Sequence, residues 1–195
     1  MDQSSQFDYR EYLNEIPINT VRSWSQMLMK ELPWEYVGWS GAPKEPYRHW
    51  AAYPEFGGEL VKIWDALDYS FREDGYNLSV ERVIGNLFAH GDSSWLHKDC
   101  DEDGAWTVIL YLNEGWDLNW GGETILAEGN EVIKSFAPTP GKFIIFKSNV
   151  LHGPRPVSRE APYPRFGLTF QCKTNDSHVQ RLSKPEIPAL HTTKL

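Results

Sequence analysis

His97 and Asp99 stand two residues apart in "SSWLHKDCDED", residues 93–103. In an extended strand, side chains at i and i+2 share one face, so this pair can reach a common point while Lys98 turns away. An imidazole nitrogen and a carboxylate oxygen converging on one point make half of a metal site. The same spacing also suits the polar edge of a surface strand, and both readings stay open on these residues alone.

A third ligand has to come from a distant segment. His152, in "FKSNVLHGPRPV", follows a turn and opens a strand that can cross a small barrel. Two imidazoles and one carboxylate on one face of an ion leave three octahedral positions free, the arrangement associated with non-haem Fe(II) oxygenases. His49, His90, His178 and His191 have no such companion. A hydrogen-bonded or surface role is expected for each.

These residues need a scaffold, and the hydrophobic pattern outlines one. From Thr20 to Leu32, Val21, Trp24, Leu28 and Leu32 recur on one helical face, with Asn19 or Thr20 placed to cap it. A second helix is predicted through "ELVKIWDALDYSF", where Leu60, Ile63, Trp64, Leu67 and Phe71 share a stripe beyond Pro54 and Gly57-Gly58. The Pro- and Trp-rich "LPWEYVGWSGAPKEPYRHW" between them reads as a loop. After Gly75 the period becomes strand-like, in "LSVERVIGNLF", "WTVILYLN", "GGETILA", "VIKSFAP", "KFIIF", "VLHGPRPV" and "RFGLTFQCK". Helices followed by many short strands predict a β-sandwich or jelly roll, with helices packed on one sheet. The double glycine of "WGGETIL" predicts a tight turn before a strand.

At 195 residues the chain is expected to form a single domain: a helical support region over 18–74, a β core over 78–173 and a polar tail over 174–195. Its formal charge of −8 would repel a phosphate backbone, so nucleic acid is not an expected partner. Cys100 and Cys172 form neither a zinc pattern nor a disulfide scaffold, which suits a reducing cytosol. No secretory signal or membrane-length apolar run is present, so a cytoplasmic protein is expected. Nine Trp, nine Tyr and nine Phe place large rings in the core, in a pocket, or in both.

In order along the chain, "GDSSWLHKD", "VILYLNEGWDLNWGGETIL", "PTPGKFIIFKSNVLHGPRPV" and "RFGLTFQ" resemble the Fe(II)- and 2-oxoglutarate-dependent dioxygenases, especially their prolyl-hydroxylase-like branch. The resemblance spans about residues 78 to 173 and implies a mainly β fold with N-terminal helices around a double-stranded β-helix, or jelly-roll, core. It implies iron ligation by His97, Asp99 and His152. It also implies that Arg165 forms a salt bridge to the far carboxylate of 2-oxoglutarate, because a planar guanidinium gives a carboxylate two parallel charge-assisted hydrogen bonds. By the same resemblance Tyr111 and Thr169 contact that carboxylate. One position departs from the family pattern: Phe88 stands where a tyrosine is common before the turn leading to the His-x-Asp pair. A phenyl ring cannot donate a hydrogen bond, and Asn86, on the same strand face, is the candidate substitute.

The implied activity couples decarboxylation of 2-oxoglutarate to succinate with oxidation of a C–H bond. The implied cofactors are Fe(II), 2-oxoglutarate as cosubstrate and O2, with ascorbate as an optional reductant. The implied substrate is a small molecule or an amino-acid or peptide side chain, and demethylation remains an alternative outcome to hydroxylation. Asp99 disfavours halogenation, since halogenating relatives leave that position empty for chloride. Trp95, Trp106, Trp116 and Trp120 are candidates for a pocket wall. The segments Pro33–Trp50 and Asp101–Trp106 are candidates for substrate selection. The rival function is a redox-silent jelly roll, either a cupin-like isomerase or a sugar-binding module.

Overall fold

The apolar alternation after Gly75 folds into two antiparallel sheets in the computed structural model, which describes residues 8–37, 48–92 and 94–175. In chain order the elements are β1 (Tyr9–Tyr12), α1 (Ile18–Glu31), β2 (Glu35–Val37), β3 (His49–Ala52), α2 (Glu59–Glu73), β4 (Leu78–Phe88) and β5 (Ala105–Tyr111). A 3-10 turn (Leu118–Trp120), β6 (Thr124–Glu128), β7 (Glu131–Phe136), β8 (Phe143–Lys147), β9 (Leu151–Pro154) and β10 (Arg165–Thr174) follow. The larger sheet runs β1-β8-β5-β10-β4-β3-β2 and the smaller runs β7-β6-β9. Together they form the jelly roll that the sequence predicts.

Strand alternation divides the large sheet into two working faces. Outward, Val108, Leu110, Leu168, Phe170 and Ile145 meet Leu28 of α1 and the stripe Ile63, Trp64, Leu67 and Phe71 of α2 in one buried cluster. Inward, Ile109, Tyr111, Ile144 and Phe146 meet Leu126 and Phe136 of the small sheet. The helices thus stiffen one side of the sheet, and the other is left for chemistry. Leu67 has no exposed surface. Leu67→Ala is therefore expected to destabilise the fold by about 3 kcal/mol through lost burial and a residual cavity, measured by denaturant unfolding.

The first helix departs from expectation at its start. It begins at Ile18, with Pro17 at the N-cap and no side-chain cap. The Pro17 carbonyl accepts from the backbone N–H groups of Thr20 and Val21, so Asn19 and Thr20 lie inside the first turn rather than ahead of it. A proline has no N–H to satisfy and a fixed φ compatible with helix entry, which is why the earlier start is favourable.

Three strands lie outside the sequence prediction. β1 pairs with β8, while β2 and β3 extend the other edge of the sheet beyond β4. Both β2 and β3 come from the stretch read as a loop, of which residues 38–47 lie outside the described residues. At three and four residues each is too short to show a period of its own, and pairing with a formed sheet is what makes it a strand. The far end of β10 includes Thr174, whose N–H donates to the Gly104 carbonyl. Residues 176–195, with His178 and His191, lie outside the described residues.

Candidate metal and cosubstrate site

Antiparallel register puts paired residues on the same face, and it lays out the floor of a cavity of about 480 Å3 in four rows. Arg165 pairs with Phe88; Gly167 lies between Asn86 and Tyr111; Thr169 lies between Ile84 and Ile109; Gln171 lies between Arg82 and Thr107. The walls come from β3, β6 and β9 and from the segment that carries His97 and Asp99.

His97 and His152 meet across an isolated antiparallel bridge, with reciprocal backbone hydrogen bonds of 2.9 Å. Asp99 is tied to the next segment by its N–H, which donates to the Ser148 carbonyl at 3.0 Å. The result is that one ligand-capable atom from each of His97, Asp99 and His152 lies within 4.8 Å of the others. Each imidazole Nε2 is 3.6 Å from an Asp99 oxygen. On the other side of each ring, Nδ1 lies 2.9 Å from the Trp95 carbonyl in His97 and 3.0 Å from the Val150 carbonyl in His152. A carbonyl only accepts, so Nδ1 carries the proton in both rings and the Nε2 lone pairs face the shared point.

Electrostatics favour the same donor states. Burial holds the His152 imidazole down at about 4, so it is neutral at physiological pH. Burial alone would raise Asp99, but the neighbouring His97 and His152 rings and the Thr107 hydroxyl outweigh it and hold the carboxyl at about 2. Neutral imidazoles with a carboxylate form a donor set suited to a divalent first-row ion such as Fe(II). Thr107 was not singled out in the sequence, yet its hydroxyl donates to Asp99 Oδ2 at 2.7 Å and lies 2.9 Å from the Ser148 hydroxyl. Thr107→Val keeps the shape and removes the donor. The variant is expected to bind metal about tenfold more weakly with little loss of fold, as metal titration would show.

Arg165 is 3% exposed and its partners are hydroxyls rather than a carboxylate. Nη2 donates to Thr124 Oγ1 at 2.7 Å, and the Tyr111 hydroxyl donates to the same oxygen at 2.7 Å. Arg165 Nε has no hydrogen-bond partner among the described residues. The guanidinium stands 5.2 Å from the Tyr111 ring and 5.6 Å from the Phe88 ring, so aromatic faces offset part of its desolvation. A buried cation with an orphaned donor, opening onto a cavity, is a site prepared for an anion. Gly167 leaves the floor bare just beside it. Thr124 also escaped the sequence reading, although it lies in the quoted "WGGETIL" block.

Asn86 Oδ1 accepts from His49 Nε2 at 3.1 Å, and Asn86 Nδ2 donates to the Thr169 hydroxyl at 3.2 Å. His49 is stacked on Phe88 with ring centres 4.4 Å apart. Asn86 and Thr169 are therefore together on the floor, in contact with a histidine delivered by β3. His49 has the hydrogen-bonded role expected of it.

Elsewhere the structure redistributes the candidates. Among the described residues no tryptophan lines the main cavity: Trp95 borders a smaller neighbouring one, and Trp106 packs on Tyr76 and donates to Thr174. Trp116 and Trp120 stack edge to face near Tyr163. The turn after Asp99 is held away from the cavity, because Lys98 binds Asp101 and Lys173 binds Glu102. Arg155 and Arg159 are exposed, in keeping with solvated charges. Gly121 and Gly122 both have positive φ, and a Cβ on Gly121 would lie 2.6 Å from the Pro156 carbonyl oxygen. Only glycine fits that crossing.

Known proteins resemble this chain in sequence and fold. A family model described as the 2OG-Fe(II) oxygenase superfamily matches residues 78–171. Over 82 residues the chain is 32% identical to the 5-methylcytosine-modifying enzyme 1 of Chlamydomonas reinhardtii; the match covers 42% of this chain and 15% of that protein. A prolyl-4-hydroxylase from Pseudomonas putida superposes with a TM-score of 0.66 at 20% identity, covering 88% of this chain and 95% of that one. A Trichoplax adhaerens prolyl hydroxylase, solved with a hypoxia-inducible-factor peptide, superposes with a TM-score of 0.62 at 16% identity, covering 85% and 83%. These two likenesses establish the shared fold. Residues 78–171, which supply every candidate ligand and the whole cavity floor, are the stretch that matches the 2OG-Fe(II) oxygenase superfamily.

Proposed function

We propose that this protein is an Fe(II)- and 2-oxoglutarate-dependent dioxygenase that hydroxylates a small molecule or an amino-acid or peptide side chain. The observation that carries the reading is the buried Arg165, whose Nε lacks a partner and whose neighbours are hydroxyls, in the same cavity as the His97, Asp99 and His152 donors. When bound, iron and 2-oxoglutarate supply the oxidising chemistry: one oxygen atom of O2 enters the substrate C–H bond and the other enters succinate as carbon dioxide leaves.

The chain's own contribution is placement. His97, Asp99 and His152 would hold the metal, with the Trp95 and Val150 carbonyls fixing both ring orientations. Arg165 would bind the far carboxylate of 2-oxoglutarate through charge-assisted hydrogen bonds, with Tyr111 and Thr124 aligning the guanidinium. Thr169 and Asn86 would flank the diacid. Asn86 then serves where the Phe88 ring cannot donate.

A redox-silent isomerase or sugar-binding module accounts less well for these residues, since it has no need of a buried carboxylate anchor beside the donors. The −8 charge argues against a nucleic-acid substrate, although a nucleobase-modifying relative exists. Both Cys100 and Cys172 are unpaired, which supports a reducing, cytoplasmic setting. Among the described residues no helix is long and apolar enough to cross a membrane.

The test is direct. Incubation with Fe(II), 2-oxoglutarate and O2 should release succinate, faster when a substrate is present. Absence of succinate across a broad panel, together with no measurable 2-oxoglutarate binding to the metal-loaded protein, would refute the proposal.

A further inference from the structure

In the fourth row of the cavity floor, Arg82 and Gln171 are not needed for metal or 2-oxoglutarate. Arg82 and Gln171 face each other there, next to Thr107. Both line the cavity together with Tyr53, and the Arg82 guanidinium lies 5.0 Å from the centre of the Tyr53 ring. Arg82 is exposed and has no ion pair among the described residues; Glu81, its neighbour in sequence, faces the other way and binds Lys173. The Gln171 amide is half-buried and makes no side-chain hydrogen bond with the described residues. Asp99 is the single carboxylate among the described lining residues, whereas Arg82 and Arg165 both contribute positive charge. In a chain of net charge −8, this cavity is locally cationic.

We propose that Arg82, Gln171 and Tyr53 form the anchoring subsite for a carboxylate group on the prime substrate, which makes that substrate a small organic acid. The proposal rests on the dioxygenase reading for what happens to the molecule afterwards. Two distances support it. From Arg82 to Phe88, the partner of Arg165, six residues of strand span about 20 Å, so one short diacid cannot engage both arginines. Arg82 therefore serves a different molecule from 2-oxoglutarate. Across the sheet, Arg82 is two strands from Thr107, or about 10 Å between backbones, and the Thr107 hydroxyl touches Asp99. A carboxylate held at Arg82 thus leaves room for a short carbon skeleton to reach the metal donors.

The chemistry of the three side chains suits a carboxylate. A guanidinium held over a ring keeps its planar edge free for two parallel hydrogen bonds, and an adjacent amide N–H can add a third. The aromatic face of Tyr53 limits the freedom Arg82 loses on binding. Phosphate backbones would meet the same arginine but also the chain's overall negative field.

The test uses the full chain loaded with Mn(II), with and without 2-oxoglutarate, and ligand-observed NMR on N-acetylated amino acids and hydroxy acids, each beside its primary-amide twin. At least one acid is expected to bind tenfold or more tightly than its amide. Broadening by Mn(II) should be stronger at its hydrocarbon end than near its carboxylate. Arg82→Gln should remove the preference for acid over amide and leave the affinity for 2-oxoglutarate unchanged. Arg82→Glu should disfavour the acid further. Equal binding of acids and amides, binding by neither, or a preference that survives Arg82→Gln would each overturn the subsite. If 2-oxoglutarate binds and no acid is preferred, the subsite fails alone; if acids are preferred and 2-oxoglutarate does not bind, the dioxygenase reading fails alone.

Discussion

Arg165→Met is expected to weaken 2-oxoglutarate binding by about 100-fold or more while the ligand-free protein unfolds at the same or a higher temperature. Truncating one partner of a buried, hydrogen-bonded charge pair typically costs about 2–5 kcal/mol of binding, and 2.7 kcal/mol corresponds to about 100-fold. The second half of the expectation comes from the unliganded site. There the guanidinium is buried without a carboxylate, its Nε is orphaned, and burial pulls its pKa down. Replacing such a charge with an apolar side chain of similar length removes a desolvation penalty rather than a bond. Tyr111 keeps its own partner, because it donates to Thr124 independently of the arginine.

Thermal unfolding with and without the diacid separates the cases. Wild-type protein at a 2-oxoglutarate concentration 100 times the Kd should gain about 2.7 kcal/mol of stability, and Arg165→Met should gain almost none. A purely structural arginine would behave in the opposite way, with a large fall in unfolding temperature and a ligand shift still present.

Asp99→Ala should reduce Mn(II) or Fe(II) affinity by at least about 100-fold and bring 2-oxoglutarate turnover to background. Loss of an outer hydrogen-bonding partner costs about 10- to 100-fold in metal affinity, which sets the floor for losing a ligand itself. Asp99 is also the only anionic donor in the triad, and it is held ionised by its neighbours at pH values well above about 2. Removing it leaves two neutral nitrogens to meet a dication. Metal titration followed by electron paramagnetic resonance should rank the variants, with Asp99→Ala far weaker than Thr107→Val. Equal losses in the two variants would mean that Asp99 orients the site without binding the ion.

Particular residues show which features were legible along the chain. The stripe from Leu60 to Phe71 and the alternation of β4, β5, β8 and β10 appear in the sequence because helix and strand periods are local properties. The His-x-Asp pair is local in the same sense. By contrast β3 has four residues and no pattern of its own, and it becomes a strand only because β4 accepts it, so the place of His49 beside Asn86 could not be anticipated. Thr107 and Thr124 look like ordinary strand residues until their hydroxyls find Asp99 and Arg165. The tryptophans pointed to burial or to a pocket wall without saying which, since ring size argues for burial but not for which cavity: Trp106 is buried and Trp95 borders the smaller cavity.

What the amino-acid order determined by itself was the two helices and β4 to β10, the face their residues occupy, and the presence of two imidazoles, a carboxylate and a guanidinium, of which His97 and Asp99 lie on an isolated bridge and a bend rather than on a strand. The tertiary structure alone decided that His152 crosses to meet His97, that Arg165 is buried with no ion-pair partner among the described residues, and that Arg82 opens onto the same cavity. The reason is physical: periodicity is set by neighbours within a few residues. Register between strands dozens of residues apart is set by which pairing satisfies the backbone and buries both apolar faces together.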